Sequence, residues 1–233
     1  MAIPQNHPSD CRPAKATGLS PPGVRTGVTF CRPHMHTAFL IDGFNFYHSI
    51  KGLRRQLRWF DYVGYCRHFM RANDTLKSIT YFSALATWLP DKVERHRVFV
   101  EACAAKGIHV VLGKFKEKPV HCPHCKKNFP RHEEKATDVN IALHAYRLAS
   151  HGTGQIIFVS GDTDLIPAVR MIKQDFPSVV VGAVFPYRRD AREFARAVHF
   201  HHKTSQEVLN RHVLPTTVAK PNGKIITCPP SWQ

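Results

Sequence analysis

Apolar and polar residues alternate along the chain in blocks that have the lengths of strands and helices. Short apolar runs predict strands at 37–41, 79–85, 108–112, 156–159 and 179–185. Apolar residues at helical spacing predict helices at 45–50, 62–70, 91–103 with Asp91 as N-cap, 138–146, 164–173 and 187–202. This alternation of strands and helices predicts an α/β domain.

Aspartates follow two of these strands directly. The run 156–159 leads through a Ser-Gly turn to Asp162 and Asp164, and the first strand ends at Asp42. Between them Asp138 enters a helix. Ligands bind open parallel sheets at the carboxyl ends of the strands, and carboxylates gathered there repel each other unless a cation neutralises them. The pattern favours a Mg²⁺ or Mn²⁺ site, with helix capping, above all by Asp164, as the alternative.

Three motifs resemble those of NYN nucleases, which are PIN-like proteins. They are D-G-x-N at 42–45, E-K-x-x-D-V at 134–139 and S-G-D-x-D at 160–164. The resemblance covers about residues 37–200 and implies a three-layer, PIN-like or Rossmann-like fold with a mainly parallel central sheet and an acidic site at the strand carboxyl ends. It implies a catalytic and metal-binding set of four aspartates with two polar supports, namely Asp42, Asp138, Asp162 and Asp164 with Asn45 and Ser160.

RNA is the substrate class that this resemblance implies. We therefore expect a metal-dependent ribonuclease in which a carboxylate-bound Mg²⁺ or Mn²⁺ activates water for attack on the phosphodiester. The alternative is an RNA-binding or regulatory PIN-like module with weak or lost catalysis. A small-molecule phosphatase is disfavoured, because Asp42 is followed by Gly43-Phe44 and not by a D-x-D nucleophile motif.

Charge points to a polyanionic partner. The chain of 233 residues carries 33 Lys and Arg against 17 Asp and Glu, a net charge of +16. Such a field attracts nucleic acid, although a basic surface can also serve solubility alone. Four basic residues near the acidic motifs are the candidate substrate-binding side chains: Arg188, Arg189, Arg192 and Lys135.

The seven cysteines do not predict a disulfide framework. Cys122 and Cys125 form a C-x-x-C pair in a segment, 115–132, that interrupts the α/β alternation. One pair supplies two of the four ligands of a structural zinc site, so the zinc hypothesis needs help from His121, His124 or His132. The alternative is an exposed loop with a reduced thiol pair.

The chain divides into three parts by composition. Residues 1–36 are rich in proline and predict a disordered basic tail, 37–203 form the domain with its insertion near 115–132, and 204–233 form an extension packed on it. Met35 offers an alternative translation start. The absence of a long apolar segment or signal peptide predicts a cytoplasmic protein with no membrane partner.

Overall fold

The computed structural model describes residues 34–121, 123–189 and 191–233. Within these residues, seven strands form one sheet in the order β4-β3-β2-β1-β5-β6-β7. The strands are β1 His36–Asp42, β2 Thr75–Ala84, β3 His109–His121, β4 Asn128–Lys135, β5 Gln155–Val159, β6 Val180–Phe185 and β7 Phe200–Lys203. Every neighbouring pair is parallel except β3 and β4, which confirms the predicted mainly parallel sheet.

Seven helices accompany the sheet in the described part of the chain. They are α1 Gly43–Ile50, α2 Tyr62–His68, α3 Pro90–Ala105, α4 Thr137–Ser150, α5 Ile166–Asp175, α6 Arg192–Ala197 and α7 Gln206–Arg211. The side chains of β1 alternate between two cores, because successive residues of a strand point to opposite faces. Phe39 and Ile41 pack with α1, α2 and α3, whereas Leu40 packs with α4, α5 and α6. The fold therefore has the predicted three layers.

The sheet reverses its direction of growth between β1 and β5. From β1 the chain adds β2 and β3 on one side, and β5, β6 and β7 lie on the other. Strand order of this kind leaves a crevice at the carboxyl ends of the two central strands. Asp42 ends β1 and Ser160 directly follows β5, so two of the three sequence motifs meet at this crevice.

The segment 115–132, expected as an insertion in the α/β alternation, consists mainly of strand residues. It forms most of an antiparallel hairpin in which β3 and β4 pair from Lys114 with Lys135 to His121 with Asn128. Most of its side chains are exposed on both faces. A strand of this kind carries no buried apolar run, which is why the sequence pattern predicted the end of β3 at residue 112.

Two sequence predictions of helix geometry were wrong. The helix expected over 187–202 extends only over α6. His201 and His202 belong to β7, where they pair with Ala183 and Val184. Asp91 does not cap α3, because the helix begins at Pro90 after Leu89. Proline is favoured at a helix start since its missing N–H has no partner there, and it displaced the expected cap.

The C-terminal residues pack on the α1–α3 face of the sheet. A small hairpin joins β8 Thr217–Ala219 to β9 Ile225–Thr227. The indole N–H of Trp59 donates to the carbonyl of Pro215 at 2.7 Å, and the ring of Trp232 lies 6.3 Å from that of Phe99. In the described residues, none of the helices has both the length and the apolar character needed to cross a membrane.

Candidate metal centre

Three aspartates from three elements converge at the crevice. Asp42 ends β1, Asp138 lies in the first turn of α4, and Asp162 follows β5. One carboxylate oxygen from each lies within 4.8 Å of the others. A search of the described residues for Asp, Glu, His and Cys side chains that are close enough to share an ion finds these three aspartates.

Asp42 is the buried member of the group, with 4% of its surface exposed. Its Oδ1 accepts a hydrogen bond from the backbone N–H of Asn45 at 2.9 Å, and its Oδ2 accepts one from the Ser160 hydroxyl at 2.9 Å. Burial raises the pKa of this carboxyl above its usual value, and the charge of Asp162 raises it further, while the two hydrogen bonds oppose the shift. Each carboxylate oxygen keeps a second lone pair for another partner.

The backbone after Asp42 has room only for glycine. A Cβ atom on Gly43 would lie 2.6 Å from both the carbonyl oxygen of Phe82 and the ring of Tyr81. Glycine thus lets α1 start against β2 and directs the N–H of Asn45 at the carboxylate of Asp42.

Asn45 and Ser160, predicted as polar supports, tie the two central turns together. The side-chain oxygen of Asn45 accepts from the N–H of Gly161 at 3.1 Å, and the hydroxyl oxygen of Ser160 accepts from the N–H of Asp162 at 3.1 Å. Ser160 is almost fully buried, with 1% exposed. Buried polar groups that are all paired hold a single geometry, so these two side chains fix the spacing of Asp42 and Asp162.

Asp162 has two tasks at once. Besides joining the group of three, it caps the 3-10 turn Thr163–Leu165, because its Oδ1 accepts from the N–H of Asp164 at 3.0 Å. The capping role considered for Asp164 therefore falls to Asp162. Asp164 itself is exposed and lies outside the group of three. Its charge nevertheless contributes to raising the pKa of Asp138, after burial and after the charges of Asp162 and Asp42.

Glu134 is a fourth acid at this site that the sequence reasoning did not include among the candidates. It is half-buried at the end of β4, and its carboxylate accepts a hydrogen bond from the hydroxyl of Thr137. Burial raises its pKa to about 7, with further contributions from the charges of Asp42 and Asp138. The signal was present, since Glu134 opens the E-K-x-x-D-V motif, but in sequence it belongs to a charged run typical of exposed surface.

The turn between Glu134 and α4 is strained. Ala136, the residue before the helix, has a φ of +75° in the left-handed region. Residues with a Cβ disfavour this region by about 1–2 kcal/mol. The strained turn brings Glu134 and Asp138 to the same crevice.

The donor set suits a hard divalent cation. Three carboxylates of unequal burial offer oxygen ligands only, which Mg²⁺ and Mn²⁺ prefer over nitrogen and sulfur. Burial is the main cause of the raised pKa of Asp42 and of Asp138, and repulsion from the charge of Asp162 raises both further. A bound cation would relieve that repulsion, so the residues present fit such an ion.

The predicted basic residues lie at different distances from the crevice. Arg189 lies against the Ser-Gly turn, since a Cβ on Gly161 would be 3.3 Å from the Arg189 Cβ. Arg188 has a φ of +57°, and its guanidinium carbon lies 5.1 Å from the ring centre of Tyr187. Lys135 donates to Glu133 at 2.9 Å. Arg192 begins α6 and lines a separate hollow with Phe185 and Lys203.

The zinc hypothesis concerns the tip of the β3–β4 hairpin. Cys122 lies outside the described residues, while Cys125 is exposed at the tip. The Nδ1 of His121 and the Oδ1 of Asn128 lie 3.0 Å apart. His132 pairs with Glu117, four residues along the strands from the pair of His121 and Asn128 at the tip. At about 3.3 Å a residue, His132 therefore lies about 13 Å from the tip. The zinc site stays a prediction, with His121 and His124 as its remaining histidines.

Comparison with known proteins identifies a matching family and a solved structure of similar fold. The family model described as the NYN domain matches residues 36–205, most of the chain. A crystal structure of a protein of unknown function from Vibrio parahaemolyticus has a TM-score of 0.52 at 20% sequence identity, covering 78% of this chain and 97% of that one. That likeness concerns the fold alone. No curated protein matches the chain significantly.

Proposed function

The chain belongs to the NYN domain family, a family of PIN-like nuclease domains, and from this premise we propose that it is a metal-dependent ribonuclease. The observation that carries the proposal is the convergence of Asp42, Asp138 and Asp162 within 4.8 Å at the carboxyl ends of the central strands. This is the donor set and the position that phosphodiester hydrolysis with a hard divalent cation requires.

Bound Mg²⁺ or Mn²⁺ supplies Lewis-acid activation of water and neutralises charge on the phosphate. The three carboxylates would hold the ion, and Asp164, exposed one turn away, would add negative charge at the rim. Asn45 and Ser160 keep Asp42 and Asp162 in place through hydrogen bonds within the protein. Ligands that the protein holds in position need little reorganisation to bind an ion.

Basic side chains around the crevice would hold the RNA backbone. Arg189 is nearest to the turn that carries Asp162, and Arg188, Arg192 and Lys135 extend the positive surface. An excess of 33 basic over 17 acidic residues keeps the whole field attractive to a polyanion. Acidic residues at the reacting phosphate and basic residues along the strand are complementary requirements of one reaction.

The test is cleavage of end-blocked circular RNA beside linear RNA and DNA, in Mn²⁺, in Mg²⁺ and in EDTA. We expect cleavage of RNA with either ion and none in EDTA. Cleavage of circular RNA would identify an endonuclease. RNA that binds in gel-shift assays and stays intact with both ions would replace the nuclease by a binding module, and equal cleavage in EDTA would refute the role of the metal.

A further inference from the structure

Four aromatic side chains form a continuous series of contacts from the start of α1 to the β3–β4 hairpin. The ring of Phe44 lies 5.6 Å from that of Phe115, and Phe115 lies 4.8 Å from Trp88, both edge to face. The rings of Trp88 and His132 stack at 3.6 Å with 11° between their planes. We call Phe44, Phe115, Trp88 and His132 the aromatic track.

The track begins beside the candidate metal centre. Phe44 is two residues from Asp42 in the chain. Phe115 lies directly opposite Glu134 in the hairpin, and side chains of such a cross-strand pair are about 5 Å apart. His132 precedes Glu134 by two residues on the same face, about 7 Å along the strand. That step is close to the spacing of successive nucleotides in an extended strand.

Trp88 differs from the other two tryptophans of the chain. Trp59 and Trp232 are buried in the core, whereas 37% of the Trp88 surface is exposed. Trp88 lies between β2 and α3, and its contacts with Phe115 and His132 hold it on the hairpin. A large ring that is held in place and still partly open to solvent offers a stacking surface at a low cost in conformational entropy.

Positive charge lies beside the track and on the opposite face of the hairpin. The opposite face of the hairpin carries four lysines and one arginine against a single acid, Glu133; they are Lys114, Lys116, Lys118, Arg131 and Lys135. On the other side, a cavity of about 200 Å³ next to Phe44 is lined by Arg58, Lys92 and Arg95. Glu117 on the track face is 3.5 Å from the ring nitrogen of His132. The phosphates would follow the side of the track that carries Arg58, Lys92 and Arg95, while the bases face the rings.

We propose that the aromatic track stacks unpaired bases of single-stranded RNA that lie next to the phosphate at the metal centre. The identity of the polymer rests on the proposed function, whereas the single-stranded form rests on the track itself. Bases in a duplex stack on each other and present no free face to a protein, whereas unpaired bases stack on aromatic side chains. The track thus assigns a base-stacking subsite to the face of the hairpin next to the candidate metal centre.

The competing interpretation is that the rings only fix the hairpin against the β2–α3 loop. The two interpretations differ in what happens when the ring of Trp88 is removed. A brace would change stability and would affect single-stranded and duplex RNA alike. A stacking surface would change binding of single-stranded RNA alone.

The experiment measures binding of a fluorescein-labelled 12-nucleotide oligouridylate, and of a duplex of equal length, by anisotropy in EDTA. Trp88→Ala should weaken single-stranded binding about tenfold, since one base stack contributes a factor of this order. Trp88→Phe should stay within about twofold of wild type. Phe129→Ala is the matched control, because Phe129 is also exposed on the hairpin but lies on the opposite face. Equal affinity of Trp88→Ala and wild type, or an equal loss for duplex and single strand, overturns the proposal.

A second readout uses the wild-type protein and needs no variant to fold. Oligouridylate should quench tryptophan emission, and an abasic oligomer of the same length should not. Quenching that is absent, or equal for both oligomers, contradicts stacking on Trp88.

Because binding is measured in EDTA, the outcome does not depend on catalysis. If stacking is observed but no cleavage occurs with metal, the nuclease proposal fails and the track stands. If metal-dependent cleavage occurs and stacking is absent, the track fails alone.

Discussion

Replacing Asp162 with Asn is the most informative change, because it should have opposite effects on the stability of the metal-free protein and on catalysis. Asparagine has the same shape and can still accept the hydrogen bond from the N–H of Asp164, so the 3-10 turn keeps its cap. The change removes one negative charge from the group of three carboxylates. That charge raises the pKa of both Asp42 and Asp138, so its loss relieves two repulsions.

The magnitude follows from the geometry. Carboxylate oxygens of the group lie within 4.8 Å of one another, and two unit charges at about that distance repel by about 3.5 kcal/mol at an effective dielectric constant of about 20. Asp138 is exposed, so solvent screens part of this energy. We take about 2 kcal/mol as the stabilisation of the metal-free variant. In a domain of this size that raises the melting temperature by about 4–8 °C.

Metal should reduce this advantage. At a Mn²⁺ concentration of about 100 times its dissociation constant, wild type gains about 2.7 kcal/mol from binding. The variant has one charged ligand fewer, so its metal-dependent increase in melting temperature should be less than half that of wild type. Cleavage of RNA should fall about a hundredfold or more, since each 1.36 kcal/mol of lost transition-state stabilisation costs tenfold in rate.

The assay is thermal unfolding in EDTA and across a Mn²⁺ titration, beside cleavage of end-labelled RNA. Asp91→Asn is the control, because Asp91 is an exposed acid in the first turn of α3, outside the group of three. It should change neither the metal response nor cleavage. If Asp162→Asn melts like wild type in EDTA and responds equally to Mn²⁺, the three carboxylates do not share an ion. If it cleaves RNA at the wild-type rate, the nuclease mechanism is wrong.

Three further changes test other parts of the site. Asp164→Asn should lower cleavage much less than Asp162→Asn in the same assay, because Asp164 lies outside the group of three; an equal loss would make it a ligand. Ala136→Gly should stabilise the protein to urea by about 1 kcal/mol by relieving the positive φ, whereas Ala104→Gly, inside α3, should destabilise it by a similar amount. Burial raises the pKa of Glu134 from 4.5 to about 7, so in EDTA its proton stabilises the fold at pH 5 and this contribution is lost as the pH rises through 7. Urea unfolding between pH 5 and 8 measures the decline in the free energy of unfolding. Glu134→Gln should reduce this decline by about 1 kcal/mol, after allowance for solvent screening. An unchanged decline would show that another group titrates.

The central half of the fold could be predicted from the sequence because its strands are buried on both faces. Such strands read as uninterrupted apolar runs, as at 156–159, and the acids that follow them are easily seen. The apolar pattern alone therefore assigns the motif around Asp42 and the motif around Asp162 to the carboxyl edge of the sheet. That they meet there follows from the reversal of strand order between β1 and β5.

The hairpin and its contribution to the site could not be predicted in the same way. β3 beyond residue 112 and all of β4 are solvated, so neither shows an apolar pattern. Glu134 reaches the crevice through antiparallel pairing with Phe115 and the left-handed turn at Ala136. Both depend on long-range geometry. The same holds for Trp88, which sequence shows only as a loop residue.

The pairing of Pro119 with Pro130 has a consequence for self-association. β4 is the outer strand of the sheet on its side, and an open strand edge is a template for pairing with another chain. Neither proline can donate a ladder hydrogen bond, so the two face each other at a position where the backbone N–H groups would point away from the partner strand. On β4 that direction is the open edge. Pro130 thus removes a donor midway along the edge and, with the charges of Arg131, Glu133 and Lys135, protects the hairpin from edge-to-edge aggregation.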